Sequence, residues 1–281
     1  MNNTVKEYME AHDLQTRDAT DVIEEFSDEL AKMTGKCIDI GCGPASVTRK
    51  LLMPRMPPNV HIVGGDISKK MVEFAKQTHS DEERLSFIEL DVEVEKIPKD
   101  LICAFDNVVS FYCLHWCQDT RKAFENIYQI LRPGGRGLVL FLAYNDGFDS
   151  YLRIAEVPQY KSYMTDVEKY VPYFQHCDNP RAKMKKMLEE VGFKVLHCSL
   201  REKTFVYKSL EILKKHVVAV NPFINRMPED IGEKFEKDLL REIVSGKISF
   251  ANKNNGSKEE EKVLDRYYVL IAHFEKPDIG K

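Results

Sequence analysis

Two glycines, Gly41 and Gly43, follow directly on the apolar run Lys36-Cys-Ile-Asp-Ile40, and this junction constrains the fold more than any other part of the chain. Glycine lets the backbone turn sharply and approach a ligand with no Cβ in the way. A buried strand, a glycine turn and a helix over about residues 45–52 therefore describe the first unit of a ligand-binding parallel sheet. The alternation continues. Residues 60–63 read as a second strand running on to Asp66, and Ser68 is expected to cap a helix through Met71, Phe74 and Ala75. A third strand spans 85–90 with Asp91 at its end, and a fourth spans 105–111. Ala123, Phe124, Ile127, Ile130 and Leu131 recur at helical spacing up to Pro133-Gly134-Gly135, before a fully apolar strand at 137–142. Short apolar runs alternating with amphipathic ones place the chain in the α/β class, with helices on both faces of the sheet.

Past residue 143 the pattern changes. Aromatic-rich helical runs fill 151–173, and a helix is expected over 181–191 with Gly192 as its C-cap. Residues 195–206 and 266–274 read as two more strands forming an antiparallel edge, with helical sequence from 210 to 243 between them. The polar stretch 252–262 reads as a disordered loop. For 281 residues this predicts one domain, with a core of about 35–143, 181–206 and 265–275. The helical segments left over, about 1–30, 144–180 and 209–250, are expected to pack together as an added cap.

Composition narrows the function classes. A net charge of -4 without a dense basic block argues against a nucleic-acid partner. No apolar run approaches the length of a membrane span, the first residues lack a signal-peptide core, and the expected compartment is the cytosol. Seven cysteines without framework spacing are expected to be reduced. Cys113, His115 and Cys117 would share one face of a strand end, but without a second ligand pair at zinc spacing they read as buried thiols beside a functional histidine.

Asp66 stands 25 residues after Gly41, where a carboxylate at a strand end can accept hydrogen bonds from ribose hydroxyls. That much suits a nicotinamide dehydrogenase equally well. Two features separate the readings. Asp39 occupies a strand position where dinucleotide folds usually carry an apolar residue, and Val47 and Thr48 follow Ser46 where a third glycine would cradle a pyrophosphate. Asp39-Ile-Gly-Cys-Gly43, Asp66, Asp91 and Leu131-Arg-Pro-Gly-Gly135 together resemble the class I methyltransferase family, a Rossmann-like fold, in four successive motifs. The resemblance implies S-adenosylmethionine as cofactor. It assigns Asp66 to the ribose, Asp91 to the adenine amino group and backbone near Ser110 to the methionine moiety. Asp39, Gly41, Cys42, Gly43, Ile67, Met71 and Val92 would complete the groove, with Tyr8 and Arg17 at the cofactor's carboxylate end or in a lid. Ala45 stands where many members carry a further glycine.

The fourth strand runs into Ser110-Phe-Tyr-Cys-Leu-His-Trp116, which carries the chain's one tryptophan. An indole N–H can bind an anion but cannot remove a proton. Near the N-terminus, Leu14-Gln15-Thr-Arg-Asp18 opens a helix able to cover a cofactor, and Gln15 offers an amide donor. With Asn221-Pro-Phe-Ile-Asn-Arg-Met-Pro228 and Phe148-Asp-Ser-Tyr151, these segments resemble the insect juvenile hormone acid methyltransferase family over nearly the whole chain. The stretches at Asn145-Asp-Gly147 and 252–261 do not match that family. The resemblance implies that Gln15 and Trp116 orient the carboxylate of a substrate, farnesoic or juvenile hormone acid; a homodimer is the candidate assembly. His115 would help to hold the acid or act as a base. An ionised acid needs donors and no general base. The rival readings are a methyltransferase acting on a hydroxyl or amine with His115 as base, and a hormone-binding relative with little turnover.

Overall fold

In the computed structural model, which describes residues 5–251 and 261–278, the expected alternation folds into a mixed sheet with helices on both faces. Helices α1 (Val5–Glu10), α2 (Asp13–Glu25) and α3 (Ser27–Leu30) precede strand β1 (Lys36–Ile40). Next come β2 (His61–Asp66), α4 (Lys69–Thr78), β3 (Leu85–Glu89), β4 (Phe105–Phe111), α5 (Thr120–Ile130) and β5 (Leu131–Asn145). The remainder is α6 (Asp146–Ala155), α7 (Pro158–Lys161), α8 (Pro180–Val191), β6 (Lys194–Tyr207), α9 (Leu210–Val220), α10 (Glu229–Ser245), β7 (Ile248–Ala251) and β8 (Glu261–Glu275).

The strand order is β3-β2-β1-β4-β5-β8-β6, with β7 paired to the start of β8. Strands β1 to β5 are parallel, and β8 lies antiparallel between β5 and β6. The order reverses at β1, whose neighbours are β2 and β4, and the glycine turn follows that strand. Ligands bind at such switch points in open α/β sheets, because the crossover helices leave on opposite faces and open a crevice.

Each face has its own apolar core. On one, Ala123, Phe124, Ile127 and Ile130 of α5 and Met184 and Leu188 of α8 pack on Ile38, Val108 and Val139. A fully buried side chain of this size contributes about 1.5–3 kcal/mol. On the other, Leu14, Val22 and Ile23 of α2 join Phe148 and Ile154 of α6, Leu213 of α9 and Phe235 and Leu239 of α10 over Val109, Leu140 and Ile271. Among the described residues no helix is long and apolar enough to cross a membrane.

Several local expectations change in detail. Residues 48–52 wind as a π-helical turn that tightens to a 3-10 turn at Met53–Arg55, where Pro54 supplies no amide for a longer helix. Pro133-Gly134-Gly135 lies inside β5: the register with β4 jumps from Phe105↔Leu131 to Asn107↔Arg136, so these residues form a bulge. The 151–173 run breaks into α6, α7 and a 3-10 turn at Val167–Tyr170. The end of the 252–262 stretch belongs to β8, and the loop expected over 252–260 lies outside the described residues.

Candidate functional site

The glycine turn takes its shape from left-handed backbone. Gly41 has φ +74° and Gly43 φ +55°, and a Cβ built on Gly41 would lie 2.2 Å from the Cβ and Sγ of Cys113. Ala45, in the expected glycine-like position, adopts φ 61° as well. It therefore carries strain of about 1–2 kcal/mol that glycine would not. Asp66 closes the turn from β2: one carboxylate oxygen accepts from the Gly43 amide at 2.9 Å and the other from the Ser68 amide at 2.8 Å. Burial raises its pKa against these two amides. A carboxylate has about four acceptor positions, so two remain for a ligand.

Ser68 caps α4 as expected, accepting from the Met71 amide at 3.4 Å. Beside Asp66, Ile67 is 66% exposed and Met71 is buried. Asp91 is exposed at the end of β3 and accepts from the Glu93 amide at 2.9 Å; Val92 is buried and its carbonyl accepts from Asn126. Asp39 is buried within β1 and accepts from the Thr48 hydroxyl at 2.6 Å. Burial, opposed by that hydrogen bond and aided by the charge of Asp66, pushes its carboxyl up to about 7. Cys42 is buried in the turn. Ser110 is buried and donates to the Ile40 carbonyl at 2.8 Å, so its side chain fastens β4 to β1 and only its backbone is left for a ligand.

The N-terminal helices cover this groove. A Cβ on Gly43 would meet the Tyr8 ring at 4.0 Å, and that ring stacks on His12 at 5.7 Å. Burial, with the charges of Asp66 and Cys113, pushes the Tyr8 phenol up to about 12. Tyr8, Gln15 and Tyr112 line both this groove and a second cavity of about 790 Å³, its open mouth included. The second cavity is walled by aromatic and aliphatic side chains such as Leu142, Phe148, Tyr151 and Val217.

Gln15, His115 and Trp116 meet in that cavity's wall. The Gln15 amide oxygen and His115 Nδ1 are buried without a hydrogen-bond partner. The Trp116 ring packs against His115 (4.9 Å between centroids) and edge-on to Phe148 (5.9 Å), and its N–H engages no described residue. Burial alone pushes the His115 imidazole down to about 3, so it is neutral. The loop that carries His115 and Trp116 differs from the expected strand end. Strand β4 stops at Phe111, Tyr112 adopts φ 57°, and Leu114–Trp116 is a 3-10 turn, so Cys113, His115 and Cys117 do not alternate along one strand.

That loop is fixed to α2 through Asp18, which is fully buried. Its Oδ2 accepts from the hydroxyls of Tyr112 at 2.6 Å and Tyr267 at 2.7 Å, and its Oδ1 accepts from Arg17 at 2.8 Å. Arg17, expected at the cofactor's carboxylate end or in a lid, is committed to this tie. Its guanidinium donates to Asp18, the Tyr267 hydroxyl and the Thr204 carbonyl, linking α2 to β6 and β8.

The cavity also contains residues that sequence reading missed. His12, whose Nδ1 is buried and unpartnered, lines the groove from the residue just before α2. Tyr207, Lys247 and Asp265 line the cavity from β6, the start of β7 and β8. Nothing local marks them, because each is brought in by pairing across the antiparallel edge.

The methyltransferase-domain family pattern matches residues 38–136, from the first glycine strand to the β5 bulge. Over 278 residues the chain is 33% identical to the juvenile hormone acid O-methyltransferase of Drosophila melanogaster, covering 98% of this chain and 92% of that protein. It is 34% identical over 277 residues to the juvenile hormone acid O-methyltransferase of Bombyx mori, covering 98% of each. Among solved structures, phosphoethanolamine N-methyltransferase 2 of Haemonchus contortus in complex with S-adenosyl-L-methionine shares the fold. The TM-score is 0.52 at 16% identity, over 93% of this chain and 52% of that one.

Proposed function

This chain belongs to the juvenile hormone acid O-methyltransferase family, and from that premise we propose that its acceptor is a lipophilic acid of the farnesoic or juvenile hormone acid type. It is an S-adenosylmethionine-dependent carboxyl O-methyltransferase. The groove suits the cofactor. Gly41 and Gly43 leave room at the turn, Asp66 keeps acceptor positions free, and His12 and Gln15 present buried polar atoms that lack partners. We assign Asp66 to the ribose, Asp91 to the adenine amino group, Ile67 and Met71 to the ring, and Asp39 to the charged amino-acid end. When bound, S-adenosylmethionine supplies an electrophilic methyl group on a cationic sulfur.

The observation that carries the acceptor assignment is the set of uncommitted polar groups that meet in one part of the wall: the Gln15 amide, the Trp116 N–H and neutral His115, with no carboxylate among the three. A carboxylic acid is already ionised near neutral pH. The site's task is thus to hold one oxygen in line while water is excluded, and orientation of this kind contributes up to about 7–11 kcal/mol. Gln15 and Trp116 donate to the acid and turn its free lone pair toward the cofactor side. His115 Nδ1, buried and neutral, is a third polar contact and a poor base.

The test is product analysis with a panel of lipophilic acids and matched alcohols, using mass spectrometry to find the methyl ester. Esters from the acids and no ethers from the alcohols are expected; ethers, or binding without transfer, would overturn the reading. Trp116→Phe keeps most of the apolar contact and removes the N–H. A hydrogen bond to a charged group is worth about 1.5–3 kcal/mol, so transfer should slow at least about tenfold while affinity for S-adenosylhomocysteine is retained. Gln15→Glu, which sets a negative charge against the acid, should be slower than Gln15→Ala.

A further inference from the structure

The acceptor cavity is not apolar throughout. In the part of its wall that the cofactor groove does not share, Lys247 lies with Asp265 and Asn145. The Lys247 side chain is only 3% exposed, and its ammonium is paired with both Asp146 and Asp265. Asp265 also accepts from the Asn145 side-chain amide at 3.2 Å. An ammonium has three donors. Two are used here, and no described residue takes the third.

A buried ion cluster is costly to desolvate, and well-packed apolar side chains of similar volume would serve stability as well or better. Its position in the wall of a lipophilic cavity therefore points to a polar demand from the occupant. The cluster is separate from the carboxylate donors in the chain and in the fold. Gln15 comes from α2 and His115 and Trp116 from the turn after β4. Lys247, Asp265 and Asn145 come from the β7 approach, from β8 and from the end of β5. Among the described residues no hydrogen bond joins Lys247, Asp265 or Asn145 to Gln15, His115 or Trp116.

We infer that this cluster is an oxygen subsite: the third N–H of Lys247 binds an acceptor oxygen, of the ether or epoxide kind, on the end of the acid's chain remote from its carboxylate. The inference rests on the reading that the cavity takes a lipophilic acid. It makes Lys247 a specificity residue that separates oxygenated acids from their plain hydrocarbon parents. Asp146 and Asp265 hold the ammonium in place, and Asn145 fixes Asp265.

The test is a competition assay on the full chain, in which farnesoic acid and its terminal epoxide share one S-adenosylmethionine pool and both esters are quantified. The ratio of products does not depend on how much of a preparation is folded. The parent protein should favour the epoxide by about tenfold or more, as expected for a hydrogen bond from a charged donor. In Lys247→Met combined with Asp146→Asn, which leaves the cluster's net charge unchanged, the ratio should fall toward one. A ratio unchanged by the double substitution overturns the inference. If the parent protein methylates neither acid, the substrate reading fails and the subsite with it.

Discussion

The cofactor groove and the acceptor cavity share a wall yet are built by opposite means. The groove is made by backbone. Left-handed glycines, strand-end carboxylates and amide donors all come from within one continuous stretch between Cys37 and Val92. The cavity is made by side chains from α1, α2, α6, α9, β5 and β8, and its order depends on ties such as Asp18 to Tyr267, 249 residues apart. Backbone geometry tolerates drift in sequence so long as a few glycines persist. A cavity built from side chains can change its occupant by single replacements.

The sharpest way to break this contrast is at Asp18. Asp18→Ala leaves the Tyr112 and Tyr267 hydroxyls without their acceptor, and each unpaired buried group costs about 1–3 kcal/mol. Urea unfolding should show a loss of several kcal/mol and methyl transfer should collapse, while the folded fraction binds S-adenosylhomocysteine within about tenfold of the parent. Equal losses on both sides would show that the halves are not separately built.

Gly41→Ala attacks the other half. The left-handed φ costs about 1–2 kcal/mol, and the overlap with Cys113 costs about 1–3 kcal/mol. Affinity for S-adenosylhomocysteine should fall by about a hundredfold in calorimetry, with the acceptor preference of the residual activity unaltered.

A smaller effect comes from His115, neutral in the folded protein because burial holds it at about 3. The unfolded chain takes up a proton below about 6.5 and the folded chain does not. Through His115 alone stability should fall as pH is lowered, by about 1.4 kcal/mol per pH unit below 6.5; Asp39, raised to about 7, acts in the opposite sense over that range, so the quantity to measure is the change of slope on His115→Gln, which should favour the variant at low pH. Any inflection in the rate at saturating substrates between pH 6 and 8 should persist in His115→Gln. An inflection that His115→Gln removes would restore the histidine as a base.

The smallest effect is expected at Ala45, whose φ of 61° glycine adopts freely. Ala45→Gly relieves that strain but adds freedom to the unfolded chain. The net gain should stay below about 1 kcal/mol in thermal unfolding, with the acceptor side untouched.

The same contrast decides what was legible in the sequence. The glycine turn, Asp66 and the Ser68 cap are local, and each was read from a few neighbouring residues whose chemistry suits one conformation. Gln15 and Trp116 became legible only through family resemblance, since a lone glutamine on a helix carries no signal of its own. The ties of Arg17 were not legible: residues two apart on a helix do not share a face, and with Gln15 in the cavity wall Arg17 reaches β6 and β8. The turn after Phe111 was missed because a tyrosine in left-handed backbone has no sequence marker. Lys247 and Asp265 stayed invisible because their meaning lies in partners that only the finished sheet assembles.

Strand β8 follows every other described strand in the chain, yet it sits inside the sheet between β5 and β6. While the protein is being synthesised, β5 waits with its outer edge unpaired, β6 has no neighbour, and β7 has nothing to pair with until residues 261–275 leave the ribosome. Open edges of this length are templates for wrong pairing between chains. The nascent chain thus passes through a stage in which the glycine-turn half can fold but the acceptor half cannot, and its yield in the cell should depend on chaperone protection during that interval.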